Sequence, residues 1–269
     1  MTSLPDSSRC ERPGTLLLGP WPSLLLVLAL TIGAALATST SALASVPTGP
    51  PTFSNPTTIT NLYAPFVPGG VRVYSGHDSG SKTVIVDLFK TQTRVFDIGP
   101  GQHVETRILQ ETEFDDGLLS EISTNYFAQA DDGTVYYFGE TVDAYEDGVA
   151  TGGHEGSWLV GGPTDPNDPP GTATAAAPNV FMPANPEVGD VFKPEDTAGV
   201  VDETDTVKAV GLTVQVPAGK FHGAIRVEET SSLESGSETK WYAAGVGVVK
   251  GKTKGENFAL TATTIAPAP

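Results

Sequence analysis

Hydrophobic and polar positions alternate along several stretches of the chain, most clearly from Val207 to Val216. Within this run, valine or leucine occupies positions 210, 212, 214 and 216, and a Pro-Ala-Gly turn at 217–219 follows. A period of two places these side chains on one face of an extended strand, so the run predicts a half-buried strand and its turn. Residues 45–269 contain no sustained helical period.

Three turn signals divide the middle of the chain. They are acidic-acidic-Gly triplets at 115–117, 131–133 and 146–148, spaced by 16 and then 15 residues. Such triplets supply the positive-φ residues that hairpin turns require. The runs between them, 118–130 and 134–145, are rich in aromatic and β-branched residues, and they predict strands paired as an antiparallel meander. Calcium loops are the alternative for these triplets, but they need oxygen ligands that alternate and converge on one ion.

Aromatic residues at adjacent positions pose a packing problem for these strands. In Tyr136-Tyr137-Phe138 successive rings must point to opposite faces of one strand, and Tyr126-Phe127 repeats the pattern. Either the sheet is covered on both sides by core packing, or a curved sheet encloses an apolar ligand on its concave face. Core packing is the commoner of the two. We therefore predict an all-β protein whose antiparallel meander forms a curved open barrel or a two-layer sandwich.

The N-terminal part of the chain predicts export. Arginines precede an apolar stretch, Leu24–Ala37, and the small-x-small triplet Ala42-Leu43-Ala44 follows it. We interpret residues 1–44 as a signal peptide, because the 14-residue apolar stretch is shorter than the roughly 20 residues a membrane anchor requires. Residues 45–65 then form a proline-rich N-terminal arm, and 66–269 form a single β domain with a long Pro/Gly-rich loop near 160–180. The expected location is extracellular or periplasmic.

Composition removes several function classes. Of 269 residues, 32 are Asp or Glu and only 15 are Lys or Arg, so the net charge of −17 argues against a nucleic-acid partner. The 39% of hydrophobic residues still suffices for a buried core. Cys10, the single cysteine, lies in the predicted signal peptide. Disulfides, a thiolate nucleophile and a cysteine-ligated zinc are therefore excluded from the mature chain.

No catalytic constellation emerges from the remaining residues. The four histidines all lie in Gly-rich or turn-like segments, and the motifs of zinc peptidases and serine hydrolases are missing from the sequence. Carboxylates are too numerous to single out a pair. A hydrolase acting on an extracellular polymer stays as the alternative function, with His154 and Glu155 as the first residues to test.

One loop contains a candidate metal-binding site. Asp165, Asn167 and Asp168 carry side-chain oxygens that could bind calcium outside the cell. Two prolines follow them and no glutamate closes the loop, which argues against a calcium site. No other cofactor is expected.

Several segments resemble a family of secreted bacterial proteins of unassigned function. The matching pieces are Phe53–Asn61 (FSNPTTITN), Tyr126–Glu140 (YFAQADDGTVYYFGE), Glu155–Trp158 (EGSW), Met182–Asp190 (MPANPEVGD), Val216–Gly219 (VPAG) and Trp241–Val249 (WYAAGVGVV). The last two are also similar to a hairpin signature of curved-sheet envelope proteins, among them open half-barrels that hold lipid-like ligands. That resemblance implies a fold and no catalytic residues. The chain departs from the pattern because it lacks a cysteine after the apolar stretch, so we expect no lipid anchor and no stable membrane anchor once the signal peptide is removed.

These observations favour a secreted, non-enzymatic binding or structural protein. Its expected partner is an apolar or lipid-like small molecule, held in a groove of the curved sheet. The aromatic residues proposed to line that groove are Tyr126, Tyr136, Phe138, Trp158 and Trp241.

Overall fold

The computed structural model describes residues 46–233 and 235–268, so the predicted signal peptide, 1–44, lies outside the described residues. These residues form sixteen strands and no helix, and hence no helix long and apolar enough to cross a bilayer. The strands are β1 (Val71–Asp78), β2 (Ser81–Gly99), β3 (Gln102–Asp115), β4 (Leu118–Gln129), β5 (Val135–Glu146), β6 (Val149–Ala150), β7 (Trp158–Val160), β8 (Ala173–Ala175), β9 (Asn179–Met182), β10 (Val191–Phe192), β11 (Asp196–Thr197), β12 (Val201–Val216), β13 (Gly219–Ser231), β14 (Glu238–Ala243), β15 (Gly247–Lys252) and β16 (Glu256–Thr263).

The strands form one large sheet in the order β10-β12-β13-β14-β15-β16-β1-β2-β3-β4-β5-β7-β8. Strands β6 and β9 pair with β5, and β11 pairs with β12. Every pairing is antiparallel except that of β7 with β8. The predicted all-β antiparallel fold is confirmed, in the form of an open, curved sheet that is not closed into a barrel.

The acidic-acidic-Gly triplets are hairpin turns, as the sequence indicates. Asp116 and Gly117 have φ of 48° and 86° in the turn between β3 and β4, and Asp147 and Gly148 have φ of 50° and 77° between β5 and β6. Only glycine reaches positive φ without a steric penalty, and aspartate tolerates it better than most residues. The turns therefore fix the positions of the long central strands.

A bulge at Gly139 divides β5 into two parts. Gly139 has a φ of 126°, and the pairing of β5 with β4 shifts there. A Cβ at this position would overlap the carbonyl oxygen of Trp158, so the close approach of β7 requires glycine. On one side of the bulge β5 pairs with β9, and at the bulge it pairs with β7.

The rings of β5 point to two faces, and both faces are covered. On the outer face Phe138 contacts Phe53 of the N-terminal arm, with ring centroids 5.7 Å apart, and Phe96 at 5.5 Å. On the inner face Tyr137 stacks on Phe127, with a centroid separation of 4.7 Å. Core packing on both sides is therefore how the structure accommodates adjacent aromatic residues at this place.

The proline-rich arm packs closely against the sheet. Asn61 is its main anchor, because its Nδ2 donates to the carbonyls of Gly133 (3.1 Å) and Pro183 (3.0 Å). Ile59 of the arm and Phe66, directly after it, are buried in the main hydrophobic core. The arm therefore belongs to the same hydrophobic core as the sheet. The Pro/Gly-rich loop near 160–180 contains one short strand, β8, that pairs with β7.

Candidate functional site

The concave face of the sheet encloses a cavity of about 340 Å³ whose lining is dominated by acidic residues. Eleven carboxylates and only two cationic side chains, Arg72 and Lys240, line it. The volume lies within the range of small-molecule sites, roughly 300–1,000 Å³. Most of the acids belong to two groups of neighbouring strands, which we call the first wall and the second wall.

The first wall consists of Asp205, Glu229, Glu238 and Lys240 on β12, β13 and β14. Asp205 lies directly opposite Glu229, and Glu229 lies directly opposite Glu238. Like charges at directly opposed positions destabilise a sheet. Lys240 offsets part of this repulsion, because its Nζ lies 2.7 Å from Glu229 Oε2 and 3.3 Å from Glu238 Oε2.

The second wall consists of Arg72, Asp87, Glu111, Glu113 and Glu121 on β1 to β4. Asp87 lies between Arg72 on one neighbouring strand and Glu111 on the other. Arg72 binds Asp87 Oδ2 through Nη2 (2.6 Å) and Nε (2.8 Å). Glu113 lies directly opposite Glu121, so this wall also holds more acids than cations.

Apolar and aromatic side chains lie between the walls and at the base of the cavity. Tyr74 on β1 and Phe258 on β16 pack edge to face, with centroids 5.4 Å apart. Phe127 and Val248 line both this cavity and a small, mostly apolar cavity of about 50 Å³ beneath the N-terminal arm. The site therefore combines charged walls with an apolar base.

Burial raises the pKa of several acids in both walls. Burial, and then the nearby charge of Asp115, raises the pKa of Glu113 to about 7. Burial, and then Glu229, raises the pKa of Asp205 to about 8. Burial alone would lower the pKa of Lys240, but Glu229 and Glu238 together raise it well above its usual value. At neutral pH the walls therefore hold protons on some acids while Lys240 stays charged.

Three buried carboxylate oxygens lack a hydrogen-bond donor among the described residues: Asp205 Oδ1, Glu238 Oε1 and Asp87 Oδ1. Asp205 and Asp87 are each only 2% exposed. Leaving a buried acceptor unpaired costs about 1–3 kcal/mol, and more for a charged group. A proton on Glu111 would let that residue donate to Asp87, which is one reason, after burial and the charge of Asp87, why the pKa of Glu111 is raised.

Two further acids close the cavity where β5 approaches the segment between β10 and β11. Glu195 Oε1 accepts a hydrogen bond from Trp158 Nε1 at 3.2 Å, and Glu140 Oε2 accepts one from the Tyr137 hydroxyl at 3.2 Å. Burial, and then the charge of Glu195, raises the pKa of Glu140 well above its usual value. Among the aromatic residues proposed from the sequence, Trp158 thus reaches the acidic cavity through a hydrogen bond.

The five aromatic residues proposed as a groove do not line one common cavity within the described structure. Three of them, Tyr126, Tyr136 and Phe138, are buried on the outer face around Phe53 and Phe96. Trp158 is fully buried against Tyr137. Trp241 is half-buried and separate from them, with Lys250 Nζ 4.9 Å from the ring centroid. The rings that line the acidic cavity include their sequence neighbours Phe127, Tyr137 and Tyr242.

The proposed calcium ligands lie close together in one loop on the outer side. Both carboxylate oxygens of Asp168 accept from Arg94, at 2.6 and 2.8 Å, and Asn167 Nδ2 donates to Asp165 Oδ1 at 2.8 Å. Burial raises the pKa of Asp168, but the hydrogen bond from Arg94 and two backbone N–H groups bring it below its usual value. Calcium here stays a prediction, which a melting curve with and without chelator would test.

His154 and Glu155 lie away from the acidic cavity. His154 Nδ1 donates to the Val142 carbonyl at 2.8 Å and lies 3.1 Å from Asp143 Oδ1, while Glu155 is exposed. Within residues 46–233 and 235–268, no three His, Cys, Asp or Glu side chains are arranged to hold a metal ion. The acids of the cavity are therefore spread along its walls and do not converge on one point.

Comparisons with known proteins give little information about the family or function of this chain. No protein-family model matches it, and no curated protein matches it significantly. Among solved structures, it is similar to a protein from Parabacteroides distasonis described as a "putative lipoprotein", with a TM-score of 0.37 and 13% sequence identity over 76% of this chain and 99% of that one. A function for this chain therefore has to follow from its own residues.

Proposed function

We propose that this is an exported, non-enzymatic binding protein whose concave cavity holds a positively charged organic ligand. The observation that carries this proposal is the set of three buried, unpaired carboxylate oxygens, on Asp87, Asp205 and Glu238. They lie in a cavity where acids outnumber cations by eleven to two. A ligand with N–H donors and positive charge would supply both the missing hydrogen bonds and the missing positive charge.

Electrostatics and hydrogen bonding both favour the binding of a cationic ligand in this cavity. In the free protein, Asp205, Glu229 and Glu238 lie side by side on neighbouring strands and repel one another, and a proton on Asp205 relieves part of that repulsion. A hydrogen bond involving a charged group contributes about 1.5–3 kcal/mol. The rings of Tyr74 and Phe258 add a surface on which cations and alkyl groups pack favourably.

The apolar or lipid-like ligand expected from the sequence fits this lining less well. The mostly apolar cavity is about 50 Å³ and lies beneath the arm, whereas the larger cavity is lined by carboxylates. Burying charged groups against an acyl chain would cost several kcal/mol without compensation. The cavity therefore supports an amine better than a fatty acid.

A hydrolase is the second candidate, because the cavity holds acids in different protonation states. Glycosidases use one protonated and one ionised carboxyl group, and Glu113, with a pKa of about 7, lies opposite Glu121. Release of reducing sugar from extracellular polysaccharides, abolished by Glu113→Gln, would support this candidate. If no reducing sugar is released, the hydrolase candidate is rejected and the binding proposal remains.

Thermal melting of the exported protein tests the proposal. At pH 8 and low ionic strength, we expect lysine, arginine and polyamines to raise the Tm, while sodium chloride at equal ionic strength and oleate do not. The Asp205→Asn/Glu238→Gln variant should lose the effect. Glu146→Gln, which changes an exposed acid outside the cavity, should keep it. Stabilisation by oleate alone would contradict the proposal.

A further inference from the structure

We propose that the ligand is a linear diamine or longer polyamine whose terminal ammonium groups bind the two walls of the cavity. This inference rests on the proposed function and specifies its ligand class. The structure shows an unpaired buried acceptor in each wall: Asp205 Oδ1 and Glu238 Oε1 in the first, and Asp87 Oδ1 in the second. Each wall can therefore accept one additional donor of positive charge.

Each wall already contains its own cation, and that cation does not satisfy the wall. Lys240 contacts Glu229 and Glu238 through their Oε2 atoms and leaves Glu238 Oε1 free of donors. Arg72 contacts Asp87 through Oδ2 alone. Each wall therefore has a buried carboxylate oxygen without a donor, which indicates two positions for ammonium groups.

The surface between the two positions suits methylene groups. The first wall lies on β12 to β14 and the second on β1 to β4, so β15 and β16 separate them in the sheet. Val248 on β15, Phe258 on β16 and Tyr74 on β1 line the cavity there. Glu256 on β16 is the one acid on these separating strands that lines the cavity. The order of surfaces is therefore acidic, mainly apolar and acidic, and a diamine or polyamine presents the complementary order of ammonium, alkyl and ammonium.

A second acidic cavity adjoins the first. This neighbouring cavity of about 580 Å³ shares Glu203, Glu229, Glu238, Lys240 and Glu256 with the acidic one. Acids therefore continue beyond the two walls, and this charge would attract a polycation before binding.

Other cations fit the two walls less well. A single metal ion needs three or more converging ligands, and the described part of the chain presents no such group. A monoamine would satisfy one wall and leave the other unpaired. Two linked ammonium groups bind with an effective concentration advantage once the first is in place.

Isothermal titration calorimetry with a series of amines tests the inference. The probes are butylamine, diamines from ethylenediamine to diaminooctane, spermidine, and calcium and magnesium chloride, all at pH 8 and equal ionic strength. We expect the best diamine to bind at least about tenfold more tightly than butylamine, with an optimum in chain length. This comparison uses the unaltered protein, so it decides the question even if a variant fails to fold.

Variants in each wall provide the second part of the test. Asp205→Asn changes the first wall. Glu111→Gln changes the second without removing the partner of Arg72, because glutamine cannot ionise when an ammonium group binds and its amide can donate permanently to Asp87. Each variant should lower the affinity for the best diamine to within about threefold of the affinity of the same variant for butylamine. Glu146→Gln should keep the full advantage of the diamine. Far-ultraviolet circular dichroism would confirm that each variant is folded.

The possible results separate this inference from the proposed function. If butylamine binds as tightly as every diamine, the two-wall inference is wrong, but the proposed function as a binding protein for a cationic ligand is retained. If no organic cation binds, both fail. If calcium or magnesium binds more tightly than any diamine, the polyamine class is also overturned.

Discussion

Asp205 on β12 lies directly opposite Glu229 on β13, so two carboxylates face each other on the wall of a cavity. A folded protein usually places opposite charges, or a charge and a neutral polar group, at such positions. Here the arrangement extends to Glu238 on the next strand, and the one lysine, Lys240, forms ion pairs with Glu229 and Glu238. Departures of this kind from stable packing are concentrated at functional sites.

The stability of the free protein should fall as the pH rises above about 5. The pKa of Glu113 is raised to about 7 and that of Asp205 to about 8, both above their values in the unfolded chain. A carboxyl group of this kind contributes its full stability below its unfolded pKa and loses it as the pH rises through its folded pKa. Melting temperatures measured from pH 5 to pH 9 should therefore decrease. The Asp205→Asn variant should show a shallower decrease, and a Tm that rises over this range would contradict the pKa assignments.

Ligand binding should release protons near neutral pH. Acids that hold protons in the free cavity, such as Asp205, ionise when an ammonium group binds beside them. The enthalpy of spermidine binding at pH 7 should then depend on the ionisation enthalpy of the buffer. Equal enthalpies in phosphate and Tris buffers would show that no proton is released.

The ion pair between Arg72 and Asp87 should be essential for stability. Both side chains are largely buried, with exposed fractions of 9% and 2%. Removing one partner leaves the other charge buried and unpaired, so Asp87→Asn should lower the free energy of unfolding by about 3–5 kcal/mol in urea titrations. The exposed pair Lys208–Glu228 is the control, since Lys208→Ala should cost less than about 1 kcal/mol. Similar losses in both variants would argue against the buried pair.

Gly139 should tolerate no side chain. Its positive φ and the nearby Trp158 carbonyl predict that Gly139→Ala destabilises the protein by roughly 2–5 kcal/mol, from backbone strain and overpacking together. Gly148→Ala is the matched control, because it also has positive φ but open space around it, and should cost about 1–2 kcal/mol. Equal costs in urea unfolding would mean that the close contact between β5 and β7 does not constrain Gly139.

The fold class could be predicted from the sequence because its signals are local. The triplets at 115–117 and 146–148 specify tight turns through their backbone preferences, and the alternation in Val207–Val216 specifies an extended strand. The start of β12 could not be predicted in the same way, because the strand begins at Val201, several residues before the apolar alternation. Glu203 and Asp205 at its start also alternate with a period of two, but acidic side chains do not indicate a buried strand face.

The acidic cavity was not predicted, although one of its signals is present in the sequence. Glu111, Glu113 and Asp115 occupy alternate positions, and a strand places such residues on one face. Which face is concave, and which strands lie across the cavity, depends on the pairing of β12, β13 and β14 and on the sheet's curvature. No local pattern contains that information.

The choice of aromatic residues shows the same limit. In Tyr136-Tyr137-Phe138 the period of two separates the faces, but it does not say which face lines a cavity. The structure places Tyr137 on the cavity side and its two neighbours on the outer side. A difference of one residue in the strand thus separates the rings of the proposed groove from those that line the acidic cavity.

Native mass spectrometry of the purified protein with spermidine tests the central claim most directly. We predict a one-to-one complex at pH 8 that disappears in the Asp205→Asn/Glu238→Gln variant and persists in Glu146→Gln. Failure of the unaltered protein to retain any amine, or retention that is equal in all three proteins, would contradict a cation site in the cavity.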